Sequence, residues 1–157
     1  MLKLLLTCLL LVPSMASADT DSIDDIINAY YDVVSGSVGH EFDSKRDQNL
    51  HAENAIITKF DDKNNFQRHD LITEQQSVPK IYTESFYEIE VSREVQRYEN
   101  IAHVWSEFEI RETKDSESFS SGFNSISLYF KDDRWWISSW STQYKKKFMY
   151  TYEEHIN

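Results

Sequence analysis

The sequence predicts an α+β domain in which helices lead and a curved antiparallel sheet follows. Three observations carry this reading. Apolar residues recur at helical spacing early in the chain, and from Phe86 onward the period shortens to two. Three glycines and two prolines in 157 residues also favour long regular elements over many tight turns.

A cleavable leader is expected at the start of the sequence. Lys3 supplies a short positive segment, Leu4 to Val12 is apolar apart from Thr7 and Cys8, and Pro13 and Ser14 end the run. Ala16, Ser17 and Ala18 are small where a signal peptidase reads, so cleavage is expected near Ala18, with a periplasmic or secreted product. The apolar run is well short of the roughly 20 residues that cross a bilayer as a helix, which argues against a stable membrane anchor. A lipoprotein reading through Cys8 is weaker, because the apolar stretch continues past it. The sole cysteine leaves with the leader, so residues 19–157 can form neither a disulfide nor a thiolate metal site. They show no repeat or Pro/Gly-rich linker and have the size of a single domain. The balance of 27 acidic against 16 basic residues disfavours nucleic acid, which needs a basic face; solubility is the plain reading of the acidity.

Ser22 followed by Asp25 marks a helix start, since a hydroxyl cap and an early acid both serve free amides. Ile23, Ile26, Ile27, Tyr30 and Val34 make one apolar stripe, and Gly36 is expected to end the helix. A shorter helix is expected over about Asp43 to Leu50, then a strand over Ala55 to Phe60. Asp70 can cap a further helix, interrupted near Pro79. Phe86 to Tyr98 and Ile101 to Thr113 read as paired strands turning at Glu99-Asn100. Gly122 to Phe130 and Arg134 to Tyr144 read as a second pair turning at Asp132-Asp133.

Asn100 to Ser106, Asn124 to Ile126 and Arg134 to Ile137 resemble the three sheet strands of SnoaL-like proteins, a branch of the nuclear transport factor 2-like superfamily. Tyr31 to Gly36 is similar to the end of that family's first helix. The resemblance covers most of the chain after the leader, loosely over 61–85, and does not extend past Tyr144. It implies a cystatin-like α+β roll, a cone-shaped sheet closed by the N-terminal helices with a pocket between them, and often a dimer through the outer sheet face. Enzymes of this kind, among them isomerases and dehydratases, place a carboxylate or histidine in the pocket opposite a tyrosine or other acid.

Register can be counted outward from the two hairpins, because side chains alternate between faces. One face then pairs Phe130 with Trp135, Leu128 with Ile137, Ile126 with Ser139 and Asn124 with Ser141. It turns from apolar to polar, so Asn124, Ser139 and Ser141 are expected to approach the pocket. In the other hairpin, counting pairs Val95 with Val104, Arg93 with Ser106, Val91 with Phe108 and Ile89 with Ile110. Arg93 is then a lone cation on an apolar face. It is expected either to pair within the protein, with Asp32 as one mate, or to anchor a ligand anion. A bulge in this strand would turn it outward. The opposite face gathers Trp136, Trp140, Tyr129 and Phe123, and a homodimer interface is the preferred account, with burial under the C-terminal tail as competitor.

The counted inner face carries no carboxylate and no histidine. His103 falls outside, His40, His69 and His155 fall in loops or tail, and His51 alone could point inward, where Tyr30 or Asp32 could join it as an acid-base pair. No metal-ligand spacing, phosphate loop or nucleophile elbow is present, so no metal and no cofactor are expected. The leading expectation is therefore a non-catalytic envelope protein that binds a small, partly apolar and possibly anionic molecule through Arg93, Ser106, Asn124, Ser139, Ser141 and Tyr30. The alternatives are an isomerase or dehydratase using His51 with Tyr30 or Asp32, and a dimeric interaction module with a vestigial pocket.

Overall fold

Local capping sets the helices. Ser22 Oγ accepts from the Asp25 amide at 3.0 Å and opens α1, Ile23–Val33. Asp43 caps α2, Ser44–Leu50, and Asp70 caps α3, Leu71–Ser77, each through its carboxylate. A computed structural model describes residues 18–145. Residues 1–17 of the expected leader, with Cys8, and the tail from 146 onward, with His155, lie outside the described residues.

The strands are β1 His51–Phe60, β2 Phe66–Asp70, β3 Tyr87–Tyr98, β4 Ile101–Arg111, β5 Ser118–Lys131 and β6 Arg134–Tyr144. They form one six-stranded sheet in the order β2-β1-β6-β5-β4-β3. The sheet is antiparallel except where β1 runs parallel to β6. The expected α+β roll is thus present, with one parallel pair in a sheet expected to be antiparallel throughout. The short edge strand β2 was not legible, since only five residues pair and most are exposed.

Helix α1 stops at Val33 with Val34 as its cap, ahead of the expected stop at Gly36. Gly36 instead bridges to Phe86 across the wall beside the sheet. A Cβ there would come 2.4 Å from the His40 ring, so the glycine serves close packing rather than helix termination. Segment 36–42 is laced to segment 80–86 by five backbone hydrogen bonds of 2.7–3.0 Å, donated by Gly36, Gly39 and Phe42 and returned by Tyr82 to His40 and by Phe86 to Gly36. Ile26, Ile27 and Leu50 from the helices pack on Val104, Phe108, Ile126, Ile137 and Trp140 from the sheet, all essentially without solvent contact.

Both long hairpins keep the counted register near their turns and lose it farther out. Val95 faces Val104 and Arg93 faces Ser106 as expected, but Val91 is an extra residue and Glu90 faces Phe108. In the second hairpin Phe130 faces Trp135 and Leu128 faces Ile137, then Ser138 is extra and Ile126 faces Trp140. Each bulge shifts the remaining strand by one residue and so exchanges its two faces.

Candidate functional site

The exchange of faces builds the pocket. Beyond Val91, Glu90 and Glu88 turn inward, opposite Phe108 and Ile110. Beyond Ser138, Trp140, Thr142 and Tyr144 turn inward, opposite Ile126, Asn124 and Gly122. Gly122 leaves the room this needs, since a Cβ would sit 2.6 Å from the Phe108 ring and 2.5 Å from the Gln143 carbonyl oxygen. Between these strand ends, the end of α1, helix α3 and the 78–86 wall lies a cavity of about 350 Å³.

Its lining is largely apolar, with Val34, Phe42, Ile57, Leu71, Val78 and Phe86 among the contributors. Glu88, Tyr30 and Tyr144 supply polar atoms within it. The Glu88 carboxyl accepts one side-chain hydrogen bond among the described residues, from Asn124 Nδ2 to Oε1 at 3.2 Å. Burial pushes its pKa up to about 7, against the weaker opposing pull of that amide and of Lys59. Among the described residues no hydrogen bond reaches Glu88 Oε2, and Glu88 lines the cavity. Tyr30 and Tyr144 line it too, and no hydrogen bond among the described residues reaches their hydroxyls. Burial, then the nearby Glu88 carboxyl, raises both phenols above their ordinary range, so they stay protonated donors. Tyr30 is fixed by stacking on Trp140 at 3.6 Å between ring centroids, and Tyr144 by edge contact with Phe108 at 5.7 Å.

A second polar cluster holds α3 against the cavity. Gln75 Nε2 donates to Asp47 Oδ2 at 2.6 Å, and Glu74 joins Lys59 and His69. Burial raises the Asp47 pKa, with His51 opposing. His51 is 2% exposed, and its Nδ1 lies 2.8 Å from the Asp47 carbonyl oxygen. A carbonyl only accepts, so Nδ1 carries the proton. The other nitrogen, Nε2, is sealed from solvent without a hydrogen-bond partner.

No family model and no curated protein matches this sequence. Solved structures do. A protein with a cystatin-like fold from Nostoc punctiforme superposes with a TM-score of 0.61 at 8% identity, covering 80% of this chain and 90% of its own. A nuclear transport factor 2-like protein from Cytophaga hutchinsonii gives 0.60 at 9% identity, covering 78% and 98%. A nuclear transport factor 2-like superfamily protein from Salmonella enterica gives 0.55 at 12% identity, covering 80% and 90%. The chain has the nuclear transport factor 2-like fold.

Within this nuclear transport factor 2-like cone, the expected site residues separate. Asn124, Ser106 and Tyr30 lie on the inner side, but Asn124 and Ser106 are fully buried behind the cavity wall rather than lining it. Ser139 and Ser141 do not approach the cavity, because the Ser138 bulge turns them to the other face, where Ser141 accepts from Thr58. The same shift brings Trp140 inward, 1% exposed, from the outer face where counting put it. Arg93 is taken up by Glu90 in a fork, by Asp24 at 2.5 Å and by Asn28 at 2.8 Å, so its mate is not Asp32 and it does not line the cavity. Asp32 is exposed and pairs with Arg46 at 2.6 Å. Tyr30 and His51 meet edge-on at 5.9 Å between centroids, with no hydrogen bond joining them. The residue that counting missed is Glu88: alternation alone put it outside, and only the Val91 bulge brings it in.

Proposed function

We propose that the cavity binds a small, uncharged, mostly apolar molecule bearing a carbonyl oxygen, and that Glu88 removes and returns a proton on the carbon beside it. The observation that carries this reading is Glu88 Oε2, without a hydrogen-bond partner among the described residues, on a largely apolar wall shared with Tyr30 and Tyr144. The C–H electron pair would move toward the carbonyl oxygen, where the hydroxyl of Tyr30 or Tyr144 donates to the growing charge. A carboxyl pushed up to about 7 can hold or release a proton near neutral pH. This is the isomerase or dehydratase alternative to the non-catalytic binder expected first from the sequence, with Glu88 in the place given there to His51 with Tyr30 or Asp32.

An uncharged ligand fits better than the anion expected from Arg93. Asp47, Glu74, Glu84 and Glu88 line the cavity against Lys59, which is itself bonded to Glu74. Two further parts of the reading rest on sequence and surface. The leader pattern supports export, and the outer-face stack of Trp105 on Phe123, with Trp105 45% exposed, supports a homodimer there.

The test is substrate-independent. Small ketones such as cyclohexanone and acetophenone are incubated with the protein in D2O, and exchange of the protons beside the carbonyl is followed by NMR. Exchange is expected with the native chain and about 10²–10⁴-fold less with Glu88→Gln. Equal exchange in both would overturn the role of Glu88. A carrier without turnover is the second reading, favoured by the sealing of His51 Nε2, which keeps that nitrogen from acting as a base beside Glu88; ligand retention without exchange would select it.

A further inference from the structure

A chain of hydrogen bonds runs behind the cavity wall from Glu88 to Arg93, and its direction can be worked out atom by atom. Arg93 forks onto both oxygens of Glu90, which therefore accept. Ser106 Oγ donates to Glu90 Oε1 at 2.5 Å and has only one proton to give. The contact of 2.7 Å between Ser106 Oγ and the Tyr31 hydroxyl must then be donated by Tyr31. With its own proton spent, the Tyr31 oxygen accepts from Asn124 Nδ2 at 3.0 Å. Thr142 Oγ1 donates to Asn124 Oδ1 at 2.7 Å, which fixes the amide from its other side. The remaining Nδ2 proton of Asn124 can only point at Glu88 Oε1.

We infer that Asn124 is a positioning residue that keeps Glu88 Oε1 unprotonated, so that Oε2, the oxygen on the cavity, is the atom that carries and exchanges the proton. The inference rests on the reading of Glu88 as the acid-base group and adds which of its oxygens works. An oxygen that accepts from a fixed N–H cannot also hold a proton along that line. An amide turned the other way would offer Oδ1, draw the Glu88 proton onto Oε1 and leave a bare oxygen facing the ligand. Two features oppose that turn: Thr142 would lose its acceptor, and the Tyr31 oxygen would face a second acceptor. Arg93 thus acts on the pocket at a distance, by setting the sense of every bond between Glu90 and Glu88.

Thr142→Val keeps the shape of the side chain and removes the latch; Asn124→Leu removes the donor. The midpoint of Glu88, followed by NMR of carboxyl-labelled glutamate with Glu88→Gln identifying the signal, is expected to rise by about one pH unit in Asn124→Leu, because a hydrogen bond to the charged form is lost. In Thr142→Val the midpoint is expected to rise as well, and ketone exchange to fall at least tenfold while the fold is kept. An unmoved midpoint in both folded variants overturns the role of Asn124 and leaves Glu88 as the acid-base group. A native Glu88 midpoint in the ordinary carboxylate range instead overturns the reading beneath it. Should either variant fail to fold, infrared spectroscopy of the labelled native protein decides. Below its midpoint Glu88 is expected to show a hydrogen-bonded acid carbonyl band, and a free carbonyl band overturns the proposal.

Discussion

The two ends of the long hairpins obey different rules. Near the turns, Phe130 with Trp135 and Val95 with Val104 sit where alternation puts them, and the inner face is mostly apolar. Past the bulges at Val91 and Ser138, the same strands present Glu88, Glu90, Thr142 and Tyr144 inward. One end of the sheet closes a core and the other surrounds a cavity. The boundary between them is set by two extra residues, neither of which lines the cavity.

Removing one of those residues tests this division most severely. Deleting Val91 takes out the extra residue itself, so plain alternation is expected to keep Glu90 opposite Phe108 and Glu88 inward, opposite Ile110. The near-neutral carboxyl titration should persist, and ketone exchange should stay within about tenfold of the native chain. A deletion variant that folds and loses that titration would break the division. The pH dependence of stability sharpens it next. Glu88 holds its proton more tightly when folded, with its pKa raised from 4.5 to about 7, so it contributes stability that is fully present below about 4.5 and is lost as pH rises through 7. Urea unfolding should therefore weaken by about 2–3 kcal/mol from this group across that window, and Glu88→Gln should remove the dependence. A change at the near end should be smallest and separate. Asp132 and Asp133 both have positive φ, 55° and 58°, in a two-residue turn. Asp133→Gly is expected to stabilise by about 0.5–1 kcal/mol and to leave the Glu88 midpoint where it was.

Much of the fold was legible because its signals are local. Ser22, Asp43 and Asp70 announce their helices by capping, and Asp132-Asp133 fixes the register of its hairpin over several residues. The site was legible only in part. Tyr30 follows from the α1 stripe, and Asn124 from counting along β5, which carries no insertion between Leu128 and Gly122. Glu88, Tyr144 and Trp140 lie beyond an inserted residue, and nothing about Val91 or Ser138 as residue types distinguishes an inserted position from a paired one. Arg93 lies before its bulge, so its inward placement was right; its partner Glu90 lies just beyond, and the pairing was therefore out of sight. Unbroken alternation from the turn sets Glu90 on the side of Glu94 and Gln96, away from Arg93 and Val95, and the bulge at Val91 reverses that.

The Val91 bulge also has a genetic meaning. It is a difference of one codon in length, and the bulge absorbs it, so that Glu90 and Glu88 face inward with or without the extra residue. A codon can thus enter or leave this strand in one heritable step while the acids keep their side of β3. Two chains could align residue for residue through these strands, differ by a single gap, and present the same acids to the pocket; the matched residues, rather than a face count carried across the gap, would be the informative columns.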